Sequence, residues 1–288
     1  MMITRNEINN VCIVVVFYNP KKEQIAQFEK LANHCTVVAV DNSDKKSSTS
    51  GIKYIPLFAN KGIAVAQNIG IAFACREGFE FVLLMDQDSK IESSFVKDIV
   101  IEYERLKRIY LEIGFLGPVF VDEKSKQEYK NGIKKNEECT QIDVVIASGC
   151  LIPTGTLKSV GGMDESLFID LVDFEWGWRA TNMGYKGYMT RNVRMIHSIG
   201  NEYHDWYGFV LGLSSPFRYY YQYRNTLWLC KRTYVPFMWK VKSIFRRTLD
   251  MLLVPLASNE GMKCLKFMFK GIISGISNKN TPIIKIYV

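Results

Sequence analysis

Residues 81–89 read Phe81-Val82-Leu83-Leu84-Met85-Asp86-Gln87-Asp88-Ser89, an apolar run that ends in two carboxylates flanking an amide. Such a run suits a strand covered on both faces, as in a parallel sheet with helices on either side. Upstream, a short strand near 52–57 leads to Asn60-Lys61-Gly62, which opens an Ala-rich helix reaching about Arg76. Further out, Val11 to Phe17 is a β-branched strand closed by Tyr18-Asn19-Pro20. Lys21 to Asn33 then carries Ile25, Phe28 and Leu31 at helical spacing, and Thr36 to Val40 is a second strand ending in Asp41-Asn42-Ser43-Asp44. Strand and helix alternate, which predicts right-handed βαβ units and an α/β fold with a mostly parallel central sheet. Ligands of such sheets bind beyond the carboxyl ends of the strands, and the three polar clusters all fall there.

Downstream, the pattern predicts a helix over 93–107 and short strands over 114–153, interrupted by an exposed Lys- and Glu-rich excursion at 122–138. Val144 to Ile152 returns to the core through Ser148-Gly149-Cys150, where the backbone must pass close to a neighbour. A helix is expected over 174–183 with Gly184 as its C-terminal cap, then a strand over 188–196 with His197 at its end. Beyond Phe217 the chain predicts two or more amphipathic helices. No apolar run reaches bilayer-spanning length, since Met251 to Ala257 is short and contains Pro255.

The composition bounds the function. With 288 residues, 48% hydrophobic and 23% charged, the chain can bury a full core and is not of the disordered class. The seven cysteines are scattered, without zinc or disulfide-framework spacing, and favour a reduced cytoplasmic setting. The opening residues carry no basic region followed by an apolar signal segment, so export is not expected. The net charge of +8 is uneven: from Pro216 onward 13 Lys and Arg face 2 Asp and Glu, which leaves −3 on the rest. A basic tail implies an anionic surface, lipid or nucleic acid, or a solvated helical face.

Several side-chain sets are candidates for chemistry. In extended geometry Asp86 and Asp88 share a face and could converge on Mg2+ or Mn2+, with substrate phosphates and water completing the shell; the same residues also describe a carboxylate-capped turn. Asp41 and Asn42 suit ribose hydroxyls or a base edge, or an Asx turn. Asn60 and, one to two turns on, Asn68 place amides near a helix N-terminus, as a phosphate site or a cap. Asp170, Asp173 and Glu175 lead into a helix; Asp173 is a candidate general base, Arg179 could hold it in place, and helix capping is the plainer account. His197 is one of three histidines and a candidate metal or phosphate ligand, or a structural residue.

In this order the motifs resemble the family 2 glycosyltransferases of GT-A fold. The matching residues are Tyr18-Asn19, Val40 to Ser43, Asn60 with Gly62 and Asn68, Asp86 and Asp88, Ser148 to Leu151, Gly161 to Glu165, Asp173 six residues before Arg179, and His197. The likeness covers about residues 11–200 and continues into the tail. Asp86-Gln87-Asp88-Ser89, Phe168-Ile169-Asp170 through Glu175-Trp176, and Arg218-Tyr219-Tyr220 with Arg224-Asn225 look like the bacterial rhamnosyltransferases of O-antigen and capsule synthesis. The resemblance implies an inverting transfer from a nucleotide-sugar donor, dTDP-β-L-rhamnose, to a glycan or polyprenyl-diphosphate-linked acceptor. It makes Asp173 the base, Asp88 and His197 metal ligands, and Tyr18, Asn19, Asp41, Asn42, Asn60, Asn68, Asp86 and Gln87 the nucleotide-sugar side. Gly149, Asp170, Glu175, Trp176 and Arg179 then stand on the acceptor or support side. One departure is Val172-Asp173 where many members have Glu-Asp.

The expected organisation is a catalytic domain over 1–215, with a nucleotide-sugar half to about 115 and an acceptor half beyond. A basic helical region over 216–288 follows, touching the cytoplasmic face of the inner membrane through Arg246-Arg247 and the aromatics near Trp239. Nucleic acid is not an expected partner. The rival readings are a UDP-sugar-using galactofuranosyl-, galactosyl- or N-acetylhexosaminyltransferase of the same fold, and a nucleotidyltransferase. The latter should carry a Gly-rich basic loop where this chain has Phe17-Tyr18-Asn19-Pro20.

Overall fold

The computed structural model describes residues 10–122, 128, 137–197, 203–206 and 209–277. The expected alternation opens the chain: β1 (Val11–Phe17), α1 (Lys22–Ala32), β2 (Thr36–Asp41), β3 (Lys53–Pro56), α2 (Ile63–Arg76), β4 (Phe81–Asp86) and α3 (Ser93–Lys107). Next come β5 (Ile113–Asp122), β6 (Cys139–Ile142), β7 (Cys150–Pro153), α4 (Thr154–Val160), α5 (Val172–Asn182) and β8 (Lys186–His197). The described residues close with a hairpin, β9 (Tyr203–Trp206) and β10 (Phe209–Gly212), and three helices, α6 (Pro216–Cys230), α7 (Phe237–Ala257) and α8 (Gly261–Ser277).

Eight strands form one sheet in the order β3-β2-β1-β4-β7-β5-β8-β6. The first four are parallel; β7 runs antiparallel to both β4 and β5, β5 and β8 are parallel, and β6 is antiparallel to β8. The period-2 pleat explains the two-sided burial of the early strands. Ile13, Val15, Phe17, Leu83 and Met85 pack on α1 and α3, while Cys12, Val14, Val82 and Leu84 pack on α2 and α5. Register places Phe17 beside Asp41 and Val16 beside Asp86, so β1, β2 and β4 release their polar ends along one sheet edge.

One feature departs from the sequence expectation. Of 144–152, only the last residues join a strand; Ala147-Ser148-Gly149 is a turn, with Gly149 at φ 79° and its N–H donating to Leu84 O at 2.8 Å. The Lys- and Glu-rich excursion lies mostly outside the described residues.

The C-terminal helices are fastened to the α/β body through α6. Tyr219 and Tyr223 are buried with Val254, Cys264 and Met268 of α7 and α8. Trp239 turns inward, its ring edge-on to Trp178 at 4.7 Å, and Arg247 is held by Asp250 and Gln222. Of the α7 residues expected at a membrane interface, Trp239 and Arg247 therefore face protein, while Arg246 and Phe237 are exposed. Among the described residues no helix is long and apolar enough to cross a membrane.

Candidate active site

The Asp86-Gln87-Asp88 segment straddles the end of β4. Asp86 is the last strand residue, and Gln87 and Asp88 already form a turn, so the extended geometry expected for Asp88 stops two residues early. Gln87 spends its amide on the backbone: its Oε1 accepts from Tyr18 N at 2.7 Å and its Nε2 donates to Tyr18 O at 3.2 Å. It ties the loop after β1 to the turn after β4, leaving the Tyr18 ring half exposed. Beneath the turn runs a relay that the sequence reading did not name. Gln27 Nε2 donates to Ser89 O, the hydroxyls of Ser89 and fully buried Ser148 lie 2.5 Å apart, and Asp86 N donates to Ser148 Oγ at 3.2 Å.

Asp41 is fully buried and saturated. Its Oδ1 accepts from Ser43 N at 3.0 Å and from Ser43 Oγ, and its Oδ2 accepts from Ser47 Oγ at 2.7 Å and Tyr54 OH at 2.6 Å. Burial alone would raise this carboxyl; the hydrogen bonds outweigh burial and hold it below the ordinary carboxylate value. Asp41 thus shapes the loop that follows. Ser43 Oγ accepts from Asn19 N at 2.7 Å, with Asn19 in the left-handed region at φ 47°. Asn42 Oδ1 accepts from Lys61 N at 2.7 Å and its Nδ2 donates to Asn60 Oδ1 at 3.0 Å, while Asn60 Oδ1 also accepts from Gly62 N at 3.1 Å. The amides of Asn42 and Asn60 thus brace the loop that leads into α2. Asn68 points elsewhere: Nδ2 donates to Met163 O at 3.0 Å and Glu165 Oε1 at 2.9 Å, and Oδ1 accepts from Met163 N at 2.7 Å. It clasps α2 to the 161–165 loop with both of its polar atoms engaged.

Asp173 lies in the first turn of α5, with Oδ1 accepting from Phe174 N at 3.0 Å and Oδ2 from Ala147 N at 3.3 Å. Burial raises its carboxyl to about 6 against the pull of these N–H groups, with the Asp170 charge adding to the rise. Asp86 is raised further, to about 7, first by burial and then by the charges of Asp88 and Asp173. The structure therefore brings Asp86 within reach of the charges of Asp88 and Asp173 at one sheet edge.

Arg179 does not hold Asp173. Six helical residues amount to about 600° of rotation, which puts Arg179 on another face; four residues return to the same face. Accordingly Arg179 Nε meets Glu175 Oε1 at 2.9 Å, and Arg179 also donates to Val160 O at 2.6 Å and Gly162 O at 2.7 Å. Arg232 Nη1 reaches Glu175 Oε1 at 3.0 Å and pairs with Asp164, and Tyr234 donates to Glu175 at 2.5 Å. Glu175 is fully buried in this network, and Trp176 is core, donating from Nε1 to Gly161 O at 2.9 Å. Of the acceptor and support roles expected for them, both take up support contacts here.

Asp170 pairs with Arg218 of α6. Its loop is strained: Phe168, Asp170 and Leu171 all have φ of 64–66°. Fully buried Asn225 holds it by donating from Nδ2 to Leu167 O at 3.0 Å, Ile169 O at 2.8 Å and Asp170 O at 3.0 Å. Arg224 donates to Ser166 O at 2.6 Å and Leu167 O at 3.0 Å while its guanidinium stacks on Trp228 at 4.2 Å. Gly62 (φ 90°) packs so closely on Phe168 that a Cβ would lie 2.7 Å from its ring. His197 closes β8, and its side chain lies outside the described residues.

A divalent cation fits the donor set in chemistry and in incompleteness. The carboxylates are hard oxygen ligands whose mutual repulsion a cation would relieve. Among the described residues no group of three or more His, Cys, Asp or Glu is preassembled around one point. Such a partial shell suits Mg2+ or Mn2+ shared with substrate phosphates.

No family model matches the chain. Among curated proteins it is 30% identical over 290 residues to the dTDP-rhamnosyl transferase RfbF of Shigella flexneri, covering 93% of this chain and 96% of that protein. The fold is similar to the crystal structure of S. aureus TarS 1–349 in complex with UDP-GlcNAc, with TM-score 0.54 at 14% identity over 92% of this chain and 81% of that one. It is also similar to the crystal structure of GalNAc-T7 with UDP, GalNAc and Mn2+, with TM-score 0.53 at 14% identity over 92% of this chain and 54% of that one. With a relative matched along almost its whole length and the nucleotide-sugar transferase architecture in place, the chain belongs to the glycosyltransferases of GT-A fold.

Proposed function

We propose that this glycosyltransferase moves L-rhamnose from dTDP-β-L-rhamnose, with inversion, to a hydroxyl of a glycan or polyprenyl-diphosphate-linked acceptor in bacterial surface-polysaccharide synthesis. It acts at the cytoplasmic face of the inner membrane. The observation that carries the chemistry is the grouping of Asp86 and Asp88 after β4 with Asp173 at the start of α5. The donor sugar is supported by the rhamnosyl transferase relative.

In this reading Asp173 is the base. A carboxyl raised to about 6 is mostly ionised at neutral pH yet more basic than an ordinary aspartate, which suits it to take the proton of an acceptor hydroxyl as that hydroxyl attacks the anomeric carbon. The Ala147 and Phe174 N–H groups fix which lone pairs remain for the substrate. Asp88, helped by Asp86 and by His197 at the end of β8, would hold Mg2+ or Mn2+, which when bound neutralises charge on the departing diphosphate. Tyr18, Asn19, Asp41, Asn42 and Asn60 form or shape the nucleotide side of the cleft. A single displacement needs no covalent enzyme intermediate.

The test is incubation with dTDP-rhamnose, Mn2+ and lipid-linked acceptors, followed by mass spectrometry, for wild type, Asp88→Ala and Asp173→Asn. Loss of a general base costs about a factor of 100 to 10,000 in rate. Near-normal product from both variants would sink the assignment, and product from a UDP-sugar in place of dTDP-rhamnose would move the donor to the rival reading.

A further inference from the structure

We infer that the outward faces of α7 and α8 form a docking surface for an anionic lipid bilayer, and that the contact is made by apolar side chains edged with lysines. Solvent-facing helices of a soluble protein ordinarily show polar residues outward, and contiguous exposed apolar patches are uncommon. Here the pattern is reversed. On α7, Val241, Phe245, Leu252 and Leu256 are exposed by 48%, 66%, 63% and 69%. At about 100° per residue they fall within an arc of about 60°. On α8, Met262, Phe269, Ile273 and Ile276 are exposed by 73%, 49%, 67% and 68% and fill an arc of similar width. The two faces adjoin across a groove of about 160 Å³, to which α7 brings Ile244, Thr248 and Met251 and α8 brings Ile272 and Ile276.

Charge selects the occupant. Exposed Lys263, Lys266 and Lys270 line one side of the α8 arc, Lys263 also meeting Glu260 at 2.7 Å; Lys242 and Arg246 flank the α7 arc, Arg246 also meeting Asp250 at 3.1 Å; and no acidic residue occurs from Gly261 to the end of the chain. Apolar side chains beside a lysine row match the acyl boundary and anionic headgroups of a bilayer. A second copy of the chain on this face would set lysine row against lysine row. The contact lies along the surface, since no described helix is long and apolar enough to cross a bilayer. It is also tied to the site: α8 packs so closely on α6 that a Cβ on Gly271 would lie 2.4 Å from Tyr220 O, and α6 carries Asn225 and Arg218, which hold the Asp170 loop. Docking would thus set that loop at a fixed height above the headgroups. This inference deepens, and rests on, the reading that the acceptor is lipid-linked.

The test is co-sedimentation of the full chain with phosphatidylcholine vesicles with and without phosphatidylglycerol. Wild type is expected to bind the anionic vesicles, more weakly as salt is raised. Replacing Lys263, Lys266 and Lys270 by Ser removes about fivefold in partitioning per lysine. The pair Phe245→Glu and Phe269→Glu removes at least about tenfold. All five side chains are solvent-facing, so unchanged circular dichroism and Tm show that the variants fold. Asp173→Asn binds vesicles as wild type does, so its turnover judges the catalytic reading separately. The inference is overturned by no binding of wild type, by Phe variants that bind normally, or by vesicle binding only after truncation at Ser277, which would make residues 278–288 the occupant. A dimer that these substitutions dissolve, without vesicle binding, would also overturn it.

Discussion

Replacing Asn225 with Ala tests how the position of Asp173 is secured. The side chain is fully buried, and its amide serves the carbonyls of Leu167, Ile169 and Asp170 while its Oδ1 accepts from Arg224 Nε at 3.0 Å. Leu167 O keeps Arg224 as a donor, so the truncation strands the Ile169 and Asp170 carbonyls, at about 1–3 kcal/mol each. Against this stands the strain of three non-glycine residues in the left-handed region, about 1–2 kcal/mol each. The two sums are comparable, so the Asn225 clamp decides whether the strained loop persists. If the loop stays in place the two stranded carbonyls cost about 2–6 kcal/mol and Tm falls by several degrees; if it relaxes, released strain offsets that cost and the loss shows in turnover instead. Leu171 is the N-cap residue of α5 and Asp173 lies in the first turn, so relaxation moves the base, and displacement by about 1 Å costs on the order of 100-fold in turnover. Asn225→Asp, which keeps an acceptor for Arg224 but has no donors, should behave like the Ala variant. The assay pairs thermal unfolding with initial rates of nucleoside diphosphate release. A Tm within about 2 °C of wild type together with an unchanged kcat would refute the reasoning.

Two further outcomes follow from the same geometry. Because burial lifts Asp173 to about 6, kcat/KM should lose activity as pH falls through that region, where the base takes up its proton; a rate that stays flat from neutrality down to pH about 4.5 would remove Asp173 from the base role. Glu175→Ala leaves Arg179 and Arg232 buried without their shared carboxylate, and loss of one partner of a buried ion pair costs about 3–5 kcal/mol, so urea unfolding should show a destabilisation of that order. A change below 1 kcal/mol would show that water or Asp164 compensates.

The nucleotide half of the fold was legible because it is written in hydrophobic periodicity. Continuous apolar runs marked β1, β2 and β4, and Ile25, Phe28 and Leu31 marked the buried face of α1. The antiparallel β7 was not legible, since four apolar residues look alike in either direction and only Gly149 turning back to Leu84 reverses the strand. The candidate side chains divide along a similar line. The carboxylates stand where strand and helix ends put them, but a polar residue type does not state what its atoms bind. Gln87 and Trp176 spend their polar groups on backbone, and Asn68 on backbone and Glu165. Helix arithmetic does separate Arg179 from Asp173, because a spacing of four selects Glu175 and a spacing of six selects neither face.

In the proposed mechanism, the short turn before β7 lets carboxylates from two distant parts of the chain work as one site. An in-line displacement demands that the base and the groups that stabilise the leaving diphosphate stay at a set separation on opposite sides of the anomeric carbon. The two sides come from different elements, Asp86 and Asp88 from the end of β4 and Asp173 from the start of α5. Ala147-Ser148-Gly149 touches both. Ala147 N donates to Asp173, Ser148 Oγ accepts from Asp86 N, and Gly149 N donates to Leu84 O, all within three consecutive residues. Gly149 is suited to the corner because its φ of 79° disfavours a side chain and a Cβ there would lie 3.0 Å from both Met195 and Pro118. In the proposed mechanism the spacing of base and leaving-group side is set by three backbone groups and one hydroxyl, and the charges of Asp88 and Asp173, which add to burial in raising Asp86, are built into that spacing.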